Sequence, residues 1–137
     1  MFKSKEEQLA FNESIDTSGW VRDSLGIHTA GWGLTLSPMD MVKIGQLYKG
    51  IWNGKRIVSE KWVEESTREH SRWKKHDLSY GYLWWVNEDG YAAMGDGGNI
   101  IYVNTKDKIV VSSSALFVPK VRDRIDLIKT YIEPIFR

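Results

Sequence analysis

The sequence predicts an α+β domain built on an antiparallel sheet of about three strands flanked by helices. Three strand-like runs follow one another between residues 80 and 116, and the links between them are too short for a crossover helix. A helix pattern with an N-terminal cap precedes these runs, and an apolar stripe at helical spacing follows them. Clustered strands with helices before and after them are typical of the α+β class.

Composition indicates an ordinary globular chain. Its 137 residues suggest one domain, residues 1–137, with residues 1–18 as a poorly organised N-terminal segment. The chain is 42% hydrophobic and 27% charged, which a packed core requires and which a disordered chain lacks. The absence of cysteine excludes disulfides and thiolate metal sites.

Charge and hydropathy narrow the classes of partner. The net charge is +1, from 19 basic and 18 acidic residues, so no nucleic-acid partner is expected. No window reaches the roughly 18 apolar residues of a membrane span, so none is predicted. The N-terminus is polar and shows no signal peptide, which leaves the localisation open.

The first organised segment is a helix that begins after residue 36. Ser37 fits the N-cap, Pro38 fits the first helical position, and Asp40 completes a capping box. Apolar residues then follow at helical spacing until Gly50, a plausible end.

A hairpin and a second helix are predicted next. The dipeptide Asn53-Gly54 lies between short apolar runs in residues 51–58, which favours a tight hairpin turn. Ser59 then fits the N-cap of a second helix. Residues 68–77 are highly charged and are predicted to form an exposed connection.

Three strands and a last helix complete the prediction. The strands are residues 80–86, residues 91–94 running on through a bend into 99–104, and residues 109–116. In the last helix Val121, Ile125, Ile128 and Ile132 form an apolar stripe suited to lying on a sheet, and Pro134 ends it.

The glycine-rich bend after the second strand is the leading candidate for a functional site. One interpretation is a structural turn that needs positive φ. It can also bring bare backbone N–H groups to a surface, where they could face an oxyanion or the edge of a substrate. The residues of this candidate site are Gly95, Asp96, Gly97 and Gly98.

Two motifs associated with serine hydrolases occur in unfavourable settings. Ser71 and Lys74 match Ser-x-x-Lys, but they lie in a charged run where the lysine would stay solvated, whereas an activating lysine needs desolvation. Tyr102 and Asn104 match Tyr-x-Asn, but they lie within a strand pattern. Both matches are attributed to chance.

The positions of the histidines do not indicate a metal site or a catalytic triad. His28, His70 and His76 lack the spacing of a ligand set, so no metal is expected. A Ser–His–Asp arrangement using His70 and Asp77 has no support from sequence distance and is not adopted.

The seven tryptophans allow a second interpretation, an aromatic binding platform. Most of them lie in apolar-patterned elements, which favours core packing over a platform. The candidates for a glycan or peptide platform are Tyr82, Trp84, Trp85 and Tyr91. Strand alternation would send Trp84 and Trp85 to opposite faces.

Four segments in order resemble the β-lactamase-related serine hydrolases, the family of class C β-lactamases, penicillin-binding proteins and related esterases. They are residues 33–48, 52–63, 80–85 and 95–98, and the resemblance spans about residues 19–134. It implies a partial β-lactamase/transpeptidase-like fold. It also implies an ester, amide or β-lactam substrate in the complete protein and no cofactor.

The resemblance covers only the C-terminal part of that family. The family's Ser-x-x-Lys nucleophile and its Tyr-x-Asn motif precede the matched region, so Ser71, Lys74 and Tyr102 do not take their roles. The family's Lys-Thr-Gly strand is matched by residues 93–98, without a cationic or hydroxyl side chain. An esterase-like or amidase-like parent therefore fits better than a penicillin-binding one.

No catalytic residue is assigned, because the nucleophile and the general base are missing from this chain. We expect the chain to be inactive alone and to self-associate through an exposed sheet edge or the surface that faces the missing half. The alternatives are an aromatic-rich binding module and a truncated remnant with no independent role.

Overall fold

The computed structural model describes residues 19–51, 53–115 and 123–137, together with Glu6. The chain divides into two compact units, Met1–Ser37 and Pro38–Arg137, and each is described by itself. Residues 1–18, apart from Glu6, lie outside the described residues. The single-domain organisation and the loose N-terminal segment stay predictions.

The first unit contains an irregular turn joined by two isolated β-bridges. Trp20 pairs with Leu34, and Arg22 pairs with His28, both antiparallel. Asp23 closes the turn, because its Oδ1 accepts hydrogen bonds from the N–H groups of Leu25 and Ile27.

The two predicted helices after residue 36 are present. Helix α1 spans Pro38–Lys49 and begins at the proline, as the sequence predicts. Helix α2 spans Glu60–Thr67, and the Ser59 hydroxyl accepts a hydrogen bond from the Trp62 N–H at 3.2 Å. Between them, Asn53 and Gly54 have φ values of 47° and 74°, the pair of positive angles that a type I′ turn requires. Directly after the turn, Lys55 lies in a single β-bridge, and Trp52 directly before it lies outside the described residues.

Within the described residues the sheet has six antiparallel strands in sequential order, so the prediction of about three was wrong. The α+β class is confirmed. The strands are β1 Ser71–Trp73, β2 Leu78–Tyr80, β3 Trp85–Asn87, β4 Gly90–Met94, β5 Ile100–Asn104 and β6 Ile109–Ser113.

One of the additional strands comes from residues predicted as an exposed connection. Strand β1 lies within residues 68–77, and its register pairs Ser71 with Tyr80 and Trp73 with Leu78. All three residues of β1 are exposed, so the segment has no alternation between apolar and polar residues. Its strand character arises from pairing with β2 and not from burial.

The predicted strand over residues 80–86 is interrupted by a hairpin turn at residues 81–84, which joins the end of β2 to the start of β3. Leu83 has a φ of 66°, and the Gly81 N–H donates to the Trp84 carbonyl oxygen at 2.8 Å. A Cβ on Gly81 would overlap the carbonyl oxygen of Ser66, so glycine allows α2 to approach this turn closely. The chain therefore reverses between β2 and β3.

Helices cover both faces of the sheet. On one face, Gly45 of α1 lies so close to Val110 and Ile101 that a side chain there would not fit. On the other face, Ala92, Ile100 and Tyr102 form the core with Ile128.

The C-terminal helix changes its winding along its length. Asp123 caps α3, Arg124–Leu127, which continues as a π-helical turn, Ile128–Ile132, and a 3₁₀ turn, Glu133–Phe136. The predicted apolar stripe packs on the sheet through Ile125, Ile128 and Ile132, whereas Val121 lies outside the described residues. Pro134 lies in the first positions of the last turn, where its missing N–H removes few helical hydrogen bonds.

Candidate functional site

The glycine-rich bend begins where β4 ends. Gly95 is extended, with φ −116° and ψ 167°, and the chain then makes a 3₁₀ turn over Asp96–Gly98. Gly97 and Gly98 have φ values of 80° and 97°, and residues other than glycine rarely adopt such positive φ values. Glycine is therefore required at these two positions by the backbone conformation.

Two of the four backbone N–H groups in the bend donate hydrogen bonds, one to Asn99 directly after the bend and one within the bend. The Gly95 N–H donates to the Asn99 carbonyl oxygen at 3.0 Å, and the Gly98 N–H donates to the Gly95 carbonyl oxygen at 3.4 Å. Asn99 is itself held, because its Oδ1 accepts from the Ala115 N–H at 3.1 Å. An oxyanion at this bend could not use the Gly95 and Gly98 N–H groups without breaking these hydrogen bonds.

Arg124 places a positive charge against the bend. Its guanidinium lies where a Cβ on Gly98 would be, and its Nη2 donates to the Gly97 carbonyl oxygen at 3.5 Å. A cation beside backbone amides raises the local positive potential, which favours an anionic group. Sequence analysis missed Arg124, because no local motif connects it to a bend 26 residues earlier.

The Ser-x-x-Lys match does not form a nucleophile and base. Ser71 lies in β1, and Lys74 lies in the turn that follows, where the His76 N–H donates to the Trp73 carbonyl oxygen. Both residues are exposed. The pair is not on a helix, so its side chains are not placed one helical turn apart.

The Tyr-x-Asn match forms a buried polar network. The Tyr102 hydroxyl donates to Glu133 Oε1 at 2.8 Å, and the Asn104 amide donates to the same oxygen at 2.6 Å. Glu133 is only 2% exposed. Burial, together with the hydrogen bond to Glu133, raises the pKa of the Tyr102 hydroxyl well above its usual range. Tyr102 is therefore a structural hydroxyl at neutral pH.

The histidines are held by aromatic rings in separate places. His28 packs against Trp20, and His76 packs against Trp73. His70 stacks on Tyr82 with ring centroids 4.0 Å apart, and its Nε2 contacts the Glu65 carbonyl oxygen.

Asp77 forms an ion pair with Arg72 at 2.5 Å, so His70 and Asp77 do not form a dyad. Across residues 19–51, 53–115 and 123–137, no three His, Asp or Glu side chains cluster as metal ligands would.

The four aromatic residues predicted as a platform are divided between core and surface. Trp84 and Tyr91 are each 4% exposed and pack against Tyr48 of α1. Tyr82 is exposed and stacks between His70 and Trp62, and Trp85 packs against Tyr80. No single surface presents all four rings.

Comparison with known proteins finds a similar solved structure that is described as a hydrolase. No protein-family model matches the chain, and no curated protein does. Among solved structures, a protein described as "Putative 6-aminohexanoate-dimer hydrolase from Bacillus anthracis" matches with a TM-score of 0.58 and 28% identity over 80% of this chain. The chain spans 30% of that protein's length.

This likeness supports a general relationship to the β-lactamase-fold serine hydrolases. It agrees with the resemblance at the level of the superfamily. In the part of the chain that the structure describes, no helix has the length and apolar character needed to cross a membrane.

Proposed function

We propose that this chain is the C-terminal segment of a β-lactamase-like serine hydrolase and supplies one wall of its active site. The observation that carries the proposal is the bend at Gly95–Gly98. Its glycine backbone and the adjacent Arg124 guanidinium present donors and positive charge at the end of β4. Such a surface would stabilise the oxyanion that forms when an acyl group is attacked.

The proposed substrate class is an ester or amide, with a β-lactam included as a cyclic amide. The description of the structural neighbour names a dimer of 6-aminohexanoate, and an amide substrate is compatible with it. The bend offers backbone donors and one arginine, a combination suited to an acyl oxygen. In place of a carboxylate-recognising Lys-Thr-Gly sequence, this chain has Ala93-Met94-Gly95 or the neighbouring Asp96-Gly97-Gly98.

The proposal includes inactivity of the chain by itself. The serine and lysine that match the nucleophile motif are exposed and lie on a strand and a turn. Catalytic groups act as a unit, so a wall without nucleophile and base contributes little rate by itself. No cofactor is required for this chemistry.

The experiment is hydrolysis of a chromogenic ester, a chromogenic cephalosporin and a 6-aminohexanoate dimer by the purified chain. We expect rates equal to buffer for all three. Labelling with a fluorophosphonate, followed by intact-mass measurement, should give no serine adduct. Turnover or labelling that disappears in Ser71→Ala but persists in the matched control Ser114→Ala would overturn the proposal, because it would make Ser71 a nucleophile.

The proposal also includes association of two or more copies. Strand β6 lies at one edge of the sheet, beside a cavity of about 420 Å³ lined by β6, Ile132 and Phe136. Ile135 and Phe136 are 73% and 67% exposed. A second copy would cover this apolar surface and the edge of the sheet at β6.

A second candidate function rests on one exposed aromatic stack. Trp62 and Tyr82 are 47% and 46% exposed, and their rings stack at 5.9 Å with His70 on the far side of Tyr82. Exposed stacked rings can bind the apolar faces of sugars. Saturable quenching of tryptophan fluorescence by cell-wall oligosaccharides, lost in Trp62→Ala and kept in Trp73→Ala, would favour this function over the hydrolase wall.

A further inference from the structure

The turn between α1 and α2 carries an asparagine followed directly by a glycine on the surface of the chain. Asn53 and Gly54 are both exposed, and their φ values are 47° and 74°. A Cβ built on Gly54 would have no other atom within 4 Å of it. The peptide bond that joins the two residues therefore faces open space.

This pair of residues has a chemical reactivity that neither the fold nor the proposed hydrolase function uses. The side-chain carbon Cγ of an asparagine can be attacked by the backbone nitrogen of the next residue, which closes a five-membered succinimide ring. The attack requires the peptide between the two residues to rotate. Glycine has no Cβ to hinder the nitrogen, and it adopts most backbone angles without steric cost, so Gly54 favours the reaction.

Few contacts oppose this rotation. Among the residues that the structure describes, none forms a hydrogen bond with the Asn53 side chain or with the Gly54 N–H. The backbone directly after the turn is held by a single β-bridge at Lys55 and not by a strand. Exposed turns with few hydrogen bonds open at low cost in free energy, so the reactive geometry is accessible from the folded chain.

The other asparagines of the chain are in less reactive settings. Each is followed by a residue with a Cβ that hinders its nitrogen: Glu13, Glu88, Ile100 and Thr105. The structure also holds three of them in place. Asn104 is fully buried, and the Oδ1 atoms of Asn87 and Asn99 accept hydrogen bonds from backbone N–H groups. Asn53 therefore differs from them both in sequence and in structure.

We propose that Asn53 is a site of self-modification by succinimide formation and deamidation, with water as the co-reactant. The Gly54 nitrogen forms a bond to Asn53 Cγ, and the bond from Cγ to Nδ2 breaks. Nδ2 leaves as ammonia and takes the proton that the Gly54 nitrogen loses. Water then adds to either carbonyl carbon of the ring and reopens it, which gives aspartate or isoaspartate. No electrons are transferred, and the proposal does not depend on the hydrolase function.

The modification would change the link between α1 and α2 in two ways. Isoaspartate carries the main chain through the former side-chain carbon, so the turn gains a backbone atom and cannot keep its type I′ geometry. Either product also places a carboxylate directly before the cations Lys55 and Arg56, and it lowers the net charge of the chain from +1 to zero.

The experiment incubates the purified chain for several days in mildly alkaline buffer made with ¹⁸O-labelled water and follows it by peptide mapping with mass spectrometry. We expect conversion of an amide to an acid, with one labelled oxygen, in the peptide that contains Asn53 and in no other peptide. Fragmentation should identify isoaspartate among the products, which direct hydrolysis of the side chain cannot form. Isomerisation at Asp89-Gly90 or Asp96-Gly97 releases no ammonia, so it does not imitate this signal.

Gly54→Ala should slow the conversion about tenfold or more, because the new Cβ hinders the attacking nitrogen and restricts the backbone. Gly50→Ala is the matched control, since a Cβ there also meets open space, and it should leave the rate unchanged. Circular dichroism checks that both variants are folded.

The same chain unfolded in urea measures the reactivity without the turn, and we expect the folded chain to react at a rate within about tenfold of it. Three results would overturn the proposal: no conversion at Asn53, conversion at an equal rate in Gly54→Ala, or a folded chain that reacts far more slowly than the unfolded one. The last result would mean that the turn protects Asn53.

Discussion

The hydroxyl of Tyr102 donates a hydrogen bond of 2.8 Å to the carboxylate of Glu133, across the contact between β5 and the C-terminal helix. Asn104 donates to the same oxygen, and Arg137 Nη2 lies 3.3 Å from the other oxygen. A buried carboxylate is stable only when its oxygens are satisfied. This network therefore fixes where the last turn of the helix meets the sheet.

Tyr102→Phe should lower the free energy of unfolding by about 1–3 kcal/mol, because it leaves the buried Glu133 carboxylate with one donor fewer. Urea denaturation followed by circular dichroism measures the change. Tyr131→Phe is the matched control: Tyr131 is 60% exposed, and the change should be within about 0.5 kcal/mol of wild type. Equal stability of both variants would show that the network contributes nothing measurable.

Gly81→Ala should destabilise the chain by about 2–3 kcal/mol or more, because the new Cβ overlaps the Ser66 carbonyl oxygen and backbone cannot move aside easily. Gly50→Ala is the control, since nothing lies within 4 Å of a Cβ at that position. Thermal unfolding of both variants makes the comparison. A Gly81→Ala melting temperature equal to that of Gly50→Ala would contradict the close approach of α2 to the turn between β2 and β3.

The free energy of unfolding should fall at low pH, partly because the Asp89 carboxylate becomes protonated. Lys129 Nζ lies 2.6 Å from Asp89 Oδ2, and this hydrogen bond holds the pKa of the Asp89 carboxyl below its usual range. The unfolded chain, with an ordinary carboxyl pKa of about 3.9, takes up this proton first as the pH falls. The contribution is therefore present above about pH 4 and is lost as the pH falls through the lower pKa of the folded state.

Asp89→Asn should flatten the acid limb of a stability profile measured by urea unfolding between about pH 3 and pH 7. Asp126→Asn, at an exposed position on α3, serves as the control and should leave the limb unchanged. An unchanged acid limb in Asp89→Asn would mean that the ion pair with Lys129 does not persist in solution.

If the chain self-associates through the apolar surface beside β6, a charge introduced there should weaken the association. Phe136→Glu should shift the mass measured by light scattering toward the monomer, because a carboxylate at the rim of the cavity opposes its burial in an interface. Leu25→Glu, at a residue 81% exposed in the other compact unit, should leave the mass unchanged. A wild-type chain that is monomeric at high concentration would contradict the association itself.

The helices were predictable because their signals are local. Ser59 caps α2 through a contact three residues along the chain, and Pro38 sets the start of α1 by its own ring. The same holds for Asn53 and Gly54, whose positive φ values follow from the residue types.

The number of strands was not predictable from local patterns. Strand β1 is exposed throughout, and the reversal at Gly81 depends on the approach of Ser66 from α2. Glu133 and Arg124 were missed for the same reason. Each forms a hydrogen bond with a residue more than 25 positions away, and no sequence motif indicates a contact over that separation.

The sequence predicts a bend that requires glycine, whereas the role of the bend in catalysis is a proposal. Positive φ at Gly97 and Gly98 follows from paired glycines after a strand. A catalytic function also needs a nucleophile facing the bend, and the serine that matches the nucleophile motif, Ser71, lies on β1, three strands away from β4.

The most direct measurement compares ester hydrolysis by this 137-residue chain with hydrolysis by the product of the reading frame extended upstream of Met1. We predict an in-frame Ser-x-x-Lys in the extended product, turnover that is lost when its serine becomes alanine, and a buffer-level rate for the shorter chain. Turnover by the 137-residue chain alone, or an upstream region without that motif, would contradict its assignment as one wall of a serine hydrolase site.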